Sequence, residues 1–210
     1  TLVNALIYHF ESLSDKNNAR PGIIHRLDKE TSGVLIVAKN NYAHDYIASQ
    51  FANRTVYKEY EAVVWGRIAS KGMIEGLIGR DKNNRIKFSM VDVNGKSSKS
   101  EYFLKDFHNP VSHVKLIPYT GRTHQLRVHL KSIGHPIFCD DAYGGGSKYA
   151  RSFHVKYTQL LNRLLKTVNR VALHAYSIRI IHPTTKKAIE FSAPMPKDFK
   201  LLLKYLEDEA

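Results

Sequence analysis

The sequence predicts an α+β fold: a single domain built on a largely antiparallel, mixed β-sheet flanked by helices and loops. Three observations carry this. Segments with strand-like alternation outnumber those with helical spacing. Turn signals such as Asn83-Asn84 and Asn94-Gly95 join many of the strand-like segments directly, which favours hairpins over crossover helices. No repeat, low-complexity tract or linker divides residues 1–210.

Taken in order, "TLVNALIYHF" places Leu2, Leu6 and Phe10 at helical spacing, and "SLSDKNNARPG" has loop composition. "PGIIHRLD" and "GVLIVAKN" are short and β-branched, so each predicts a strand, with a turn between them. "NYAHDYIASQFAN" predicts a helix capped by Asn40 or Asn41. "TVYKEYEAVVWG" alternates as a strand and stops at Gly66. "SKSEYFLKDFH" and "VSHVKLIPYTG" form the next expected pair, across Asn109-Pro110. "THQLRVHLKSIG" predicts a short helix closed by Gly134, "AYGGGSKYA" a loop and "YTQLLNRLLKTV" a helix. "ALHAYSIRIIH" and "KAIEFSA" predict a last strand pair around Pro183, and "PKDFKLLLKYL" a terminal helix with Pro196 near its start.

Composition narrows the function. Hydrophobic residues at 43% and charged residues at 24% are those of an ordinary globular protein, and no apolar run reaches the ~20 residues that span a bilayer. The single cysteine, Cys139, leaves no internal disulfide and no Cys-based zinc site, which fits a reducing, cytoplasmic compartment. Thirty-two Lys and Arg against nineteen Asp and Glu give a net charge of +13. Such an excess favours a polyanionic partner, and without a basic amphipathic helix of wide apolar face that partner is nucleic acid rather than membrane.

Several cofactor motifs fail. "NGKSSK" contains Gly-Lys-Ser, but a phosphate-binding loop needs glycine where Met90 stands. No G-x-G-x-x-G marks a dinucleotide site, and no G-x-S-x-G offers a serine nucleophile. His124 and His129 lie about 140° apart on a helix, which prevents them from sharing a metal ion. The expected chemistry uses neither nucleotide cofactor nor metal.

What remains is "HRLDKETSG", His25 to Gly33, where one carboxylate leads into Thr-Ser-Gly between two apolar runs. Read alone, Asp28 is either a turn-former bonding nearby amides or a reactive acid at the edge of a sheet. Three further segments decide between these: "YKEYEAVVWG", "TGRTHQLRVHLKSIGHPI…DDAYGG" and the closing "LHAYSIRIIHPTTKKAIEFSAPMPKDF". With "HRLDKETSGVLIVAK" they resemble, in order, the signature set of the RluA-type pseudouridine synthases, from Thr1 to about Tyr205.

The resemblance implies a pseudouridine synthase catalytic domain over residues 1–210, isomerising uridine in structured RNA without a cofactor. Ribosomal RNA is the more expected target and transfer RNA the alternative; the protein is expected to act as a monomer. The family motif places the catalytic aspartate on Asp28, the stacking tyrosine on Tyr60 and the active-site arginine on Arg127. The residue types suit the task. A base held in folded RNA must be flipped out at a cost of a few kcal/mol, and an aromatic face returns about 1–3 kcal/mol by stacking. Asp28 must be ionised, as nucleophile or as base; whether it attacks sugar or base, or abstracts a proton, stays open. Arg127, always charged and forked, can pair with it. His25, Arg26, Thr31 and Arg122 are expected near the RNA, and His124 and Lys131 flank Arg127 as a phosphate-binding face.

Two departures from the family pattern stand out. Residues 1–210 are expected to be an N-terminally truncated catalytic domain, without the family's earlier strand and Lys-Pro motif or an S4-type domain, and Cys139 stands where glycine is more usual. Two rival readings share the fold: an RNA-binding module that has lost the reaction, and a ribosome-assembly factor that acts by binding alone.

Overall fold

The computed structural model describes residues 1–152 and 157–208. Among them, eight strands form one sheet in the order β1-β7-β2-β6-β5-β3-β4, with β8 also paired to β7. The strands are β1 (Ser32–Gly33), β2 (Tyr57–Trp65), β3 (Lys71–Arg80), β4 (Phe88–Val91), β5 (Lys96–His108), β6 (Val111–Pro118), β7 (Leu173–Ile181) and β8 (Ala188–Ser192). Only β1 against β7 is parallel, so the α+β, mainly antiparallel expectation holds.

Helices α1 (Leu2–His9), α2 (Asn41–Ala52), α3 (Gln125–Ser132), α4 (Ser147–Ala150), α5 (Thr158–Thr167) and α6 (Lys197–Asp208) accompany the sheet. Local chemistry accounts for their limits. Asn40 caps α2, its side chain accepting from the Ala43 amide at 2.8 Å. Gly134, at φ 84°, follows the end of α3 in the left-handed backbone that terminates helices. Asn94 takes the same conformation, φ 58°, in the β4–β5 turn.

The main core joins the centre of β2 (Ala62, Val63, Val64, Trp65) to Leu126 and Leu130 of α3 and to Leu161, Phe199 and Leu202 of α5 and α6. A second core packs Ile47 of α2 with Ile178 and Ile180 of β7 and with Ile36. The face that carries Tyr60 and Leu173 thereby receives α2 at one end and α3 at the other. Between them it stays open.

Two expectations need correction. Residues 21–28 and 33–40 are not strands. Apart from Ser32-Gly33 they contribute one isolated bridge, Ile23 to Val37. The β-branched composition buries them against α2, but their amides find other acceptors: Ile36 N–H donates to His25 Nε2 at 2.9 Å, and Ala38 N–H to Gly22 O at 2.8 Å. The loop expected over 142–150 contains structure too, a 3-10 turn at Asp141–Tyr143 and α4. Asp140 initiates the turn by accepting from the Tyr143 amide.

Candidate active site

A cleft of about 330 Å³ opens on the sheet face between α2 and α3. Residues 24–28 and Thr31 form one wall, residues 120–127 the other, and Lys58, Tyr60 and Leu173 the floor.

The floor lies beside an irregularity in the sheet. The pairing of β2 with β7 slips by one residue between Glu59 and Tyr60, so Glu59 faces Ser177, Tyr60 faces Ala175 and Tyr176 has no opposite number. The extra residue belongs to β7, so β7 is the strand that the bulge bends. Tyr60 and Lys58, two residues apart on one face, both reach the cleft. Burial, then the charge of Asp28, pushes the Tyr60 hydroxyl up to about 12, so it remains a phenol across the neutral range. Burial lowers Lys58 to about 8. Its Nζ lies 3.4 Å from the Thr120 carbonyl.

The arginine wall is rigid by construction. Gln125 binds four groups: its Oε1 accepts from Thr120 Oγ1 at 2.6 Å and the Arg122 amide at 3.0 Å, while its Nε2 donates to Lys99 O at 3.0 Å and Ser100 Oγ at 2.8 Å. This ties the turn before α3 to β5. Helical side chains lean toward their own N-terminus, which carries Arg127, in the first turn of α3, into the cleft. Its guanidinium forms a two-pronged pair with fully buried Asp140, Nε to Oδ2 at 2.7 Å and Nη2 to Oδ1 at 2.8 Å. It also lies 4.8 Å from the Tyr143 ring centroid. Burial opposes the arginine's charge, but the contact with Asp140 outweighs it and raises the pKa.

The remaining nitrogen, Nη1, faces Asp28 Oδ2 at 3.6 Å, too long for a hydrogen bond but close enough for direct attraction. The expected Asp28–Arg127 juxtaposition is present, yet the tight partner of Arg127 is Asp140, which sequence reasoning missed. "CDDAY" offers two adjacent aspartates, and nothing local tells which one turns inward.

The Asp28 wall is irregular backbone pinned from behind. Ser32 Oγ lies 2.9 Å from His174 Nδ1, while His174 Nε2 lies 3.0 Å from the Ala193 carbonyl. A carbonyl can only accept, so Nε2 is the donor there. Gly33 is required here: at φ 129°, an added Cβ would fall 2.2 Å from the Ala175 carbonyl oxygen. Arg170, paired with Asp198 at 2.7 Å, also reaches the Glu30 carbonyl at 3.4 Å.

Of the other expected residues, His25, Arg26, Thr31, Arg122 and His124 all line the cleft. Their chemistry differs. His25 Nε2 accepts from the Ile36 amide and its ring stacks on Phe51 at 4.8 Å; burial, then Lys58, lowers its pKa to about 4, so it is neutral and braces the loop. His124 Nδ1 lies 2.7 Å from the Tyr143 hydroxyl, and burial lowers its pKa. Arg122 and Arg26 bring cations to the rim. Lys131 lies outside the residues that line the cleft, exposed, with its Nζ 5.9 Å from the Tyr143 ring centroid. Cys139, at φ 63°, occupies a left-handed position where glycine would be unstrained; its half-buried thiol is pushed up to about 12 by desolvation and is unreactive. No group of three or more potential metal ligands occurs among the described residues, and no described helix is long and apolar enough to cross a membrane.

Comparisons with known proteins place the chain in a family. The RNA pseudouridylate synthase family matches residues 6–132, which include Asp28, Tyr60 and Arg127. An uncharacterized RNA pseudouridine synthase of Chlorobaculum parvum is 42% identical over 210 residues, 97% of this chain and 64% of that protein. Ribosomal large subunit pseudouridine synthase D of Pseudomonas aeruginosa is 39% identical over 209 residues, 100% of this chain and 63% of that protein. The chain thus spans just under two thirds of the length of these curated relatives. The structure of human RNA pseudouridylate synthase domain containing 1 superposes with a TM-score of 0.71 at 29% identity, over 99% of this chain and 85% of that one.

Proposed function

The chain belongs to the RNA pseudouridylate synthase family, and from that premise we propose that it isomerises uridine to pseudouridine in structured RNA, ribosomal RNA in the first place. The observation that carries the reading is the facing of Asp28 and Arg127 across a cleft floored by Tyr60.

The reaction breaks the bond from the sugar C1′ to N1 of uracil, turns the base, and joins C1′ to C5; the proton leaving C5 is balanced by one gained at N1. No atom is added or lost, so no cofactor is called for. A flipped uracil lies on the Tyr60 ring, which supplies stacking without being consumed. Asp28 acts on the flipped nucleotide as nucleophile or base, and both roles use the carboxylate form. Arg127 holds that carboxylate from one side. Its own fork, fixed by Asp140, cannot swing away with it. Arg26, Arg122 and Lys58 bring positive charge to the phosphates around the target. The isolated acid in an otherwise cationic cleft argues against the two binding-only readings, since a carboxylate facing a polyanion weakens binding and serves only chemistry.

The test is incubation of the purified protein with unmodified transcripts of large-subunit ribosomal RNA and of transfer RNA, with pseudouridine mapped by carbodiimide labelling. Pseudouridine in ribosomal RNA is expected. RNA binding without any pseudouridine in either transcript overturns the proposal in favour of a binding module.

A further inference from the structure

The cleft does not end at Arg122. A groove continues from it past Thr120, lined by Phe51, Arg54 and Tyr119. Beyond these it opens into a wider depression, bounded by Ser97 and Lys99 on β5 and by Glu75 on β3. The groove shares Phe51, Lys58, Thr120 and Arg122 with the cleft itself. The mechanism above uses none of the outer part.

Two side chains there are placed without a structural need. Tyr119 is 43% exposed although it carries a large ring. Its hydroxyl donates to Glu101 at 2.8 Å, and Lys99 Nζ stands 5.7 Å from its ring centroid. Those contacts fix the ring while leaving much of it uncovered. Arg54 sits at φ 58°, a left-handed residue that turns the chain from α2 into β2, with its amide bonded to the Phe51 carbonyl at 3.2 Å. Among the described residues its guanidinium has no ion pair or side-chain hydrogen bond. The acids nearby are already engaged, Glu75 with Lys99 at 2.6 Å and Glu101 with Tyr119. The groove therefore presents a fixed aromatic plane, a free guanidinium, and Arg122, whose Nε alone is taken, by Ser97 O at 3.0 Å.

We propose that this groove is a second nucleotide subsite: a single-stranded nucleotide adjoining the target uridine stacks its base on Tyr119 and sets its phosphate against Arg54. The inference rests on the RNA reading above and extends it to how the substrate is gripped. An aromatic plane beside a cation is the arrangement that binds single strands without reading their sequence, because every base has a π-face and every link a phosphate. Continuity with the cleft makes the occupant a neighbour of the target rather than a separate ligand. A ring already fixed by Glu101 and Lys99 loses little freedom on stacking, which favours binding.

The experiment titrates a fluorescein-labelled single-stranded oligouridylate against the whole protein and its Tyr119→Ala, Tyr119→Phe and Arg54→Gln variants, at several salt concentrations. Melting temperatures and pseudouridine formation on ribosomal RNA transcript are measured on the same samples. Tyr119→Ala is expected to weaken binding about tenfold, and Tyr119→Phe by only about two- to threefold, because the plane and its Lys99 contact survive while the bond to Glu101 is lost. Arg54→Gln should weaken binding and lower the salt slope by about one. The single-turnover rate at saturating RNA should not change in any of them. Wild-type affinity in both Tyr119→Ala and Arg54→Gln overturns the subsite, as does a wild-type protein that ignores the oligonucleotide. Equal weakening by Phe and Ala with a lowered melting temperature overturns the stacking role. The two readings fail separately: binding that depends on Tyr119 and Arg54 without any pseudouridine defeats the enzyme reading alone, and pseudouridine formation with indifferent variants defeats the subsite alone.

Discussion

The two walls of the cleft are built by different means. The Arg127 wall is the first turn of a helix, its approach locked by Gln125 and its guanidinium clamped by a carboxylate with no exposure at all. The Asp28 wall is irregular chain, held at a distance by the Ser32–His174 and Arg170–Asp198 contacts and by a glycine that lets it touch β7. The difference teaches how a charged pair can face across a gap without closing it. A cation anchored from behind cannot collapse onto the opposing acid, so the 3.6 Å separation leaves both groups available to a third.

Among substitutions that act through position, the largest effect is expected at the clamp. Asp140→Asn keeps the shape but removes the tight counter-charge of the buried arginine, leaving only Asp28 at 3.6 Å, at a cost of about 3 kcal/mol. That corresponds to a melting temperature lower by on the order of 10 °C, with pseudouridine formation falling further than the folded fraction. Calorimetry and single-turnover assays on one preparation check this; a variant that melts and reacts as wild type would make the two walls equivalent.

Tyr60→Leu comes next. Loss of base stacking, about 1–3 kcal/mol, should slow turnover by roughly tenfold with a smaller effect on melting. A large drop in melting temperature with a normal rate per folded molecule would return Tyr60 to a core role.

Ser32→Ala tests the softer wall. It removes one part-buried hydrogen bond, about 1 kcal/mol, and should lower kcat several-fold while RNA affinity holds. Loss of affinity with unchanged kcat would mean that the segment grips RNA and does not position Asp28.

The smallest effect is a pH dependence. Burial brings Lys58 down to about 8, whereas His25 near 4 and Tyr60 near 12 fall outside the neutral range. Lys58 is charged below about 8 and neutral above it, so its attraction for phosphate is present at pH 7 and fades toward pH 9. Wild-type RNA affinity should then weaken a few-fold more over that interval than that of Lys58→Met, measured at constant salt. Parallel curves for the two proteins would remove Lys58 from the binding surface.

Much of this was legible in the sequence where a local signal exists. Asn40 as a cap, the strand ending at Gly66 and the turn at Asn94-Gly95 each rest on backbone chemistry that neighbours cannot easily override. The segment around Asp28 misled for the opposite reason. Its β-branched residues state that it is buried, and burial beside α2 satisfies that statement as well as a sheet would. The facing of Asp28 and Arg127 was readable through motif resemblance. Asp140 was not, because its role depends on a contact thirteen residues back across a turn, and the groove at Arg54 and Tyr119 joins elements that only the sheet brings together.

On the proposed function, Asp28 is the reacting group of this cleft and the rest of the site holds it and the base in place. The most direct measurement is single-turnover pseudouridine formation by Asp28→Asn, beside its RNA affinity. Asparagine preserves the size and removes the charge, so turnover should disappear while affinity stays equal or rises slightly as a negative charge leaves a cleft that binds phosphate. Residual turnover within about tenfold of wild type, less than the smallest share that a positioned acid–base group commonly supplies, would contradict it.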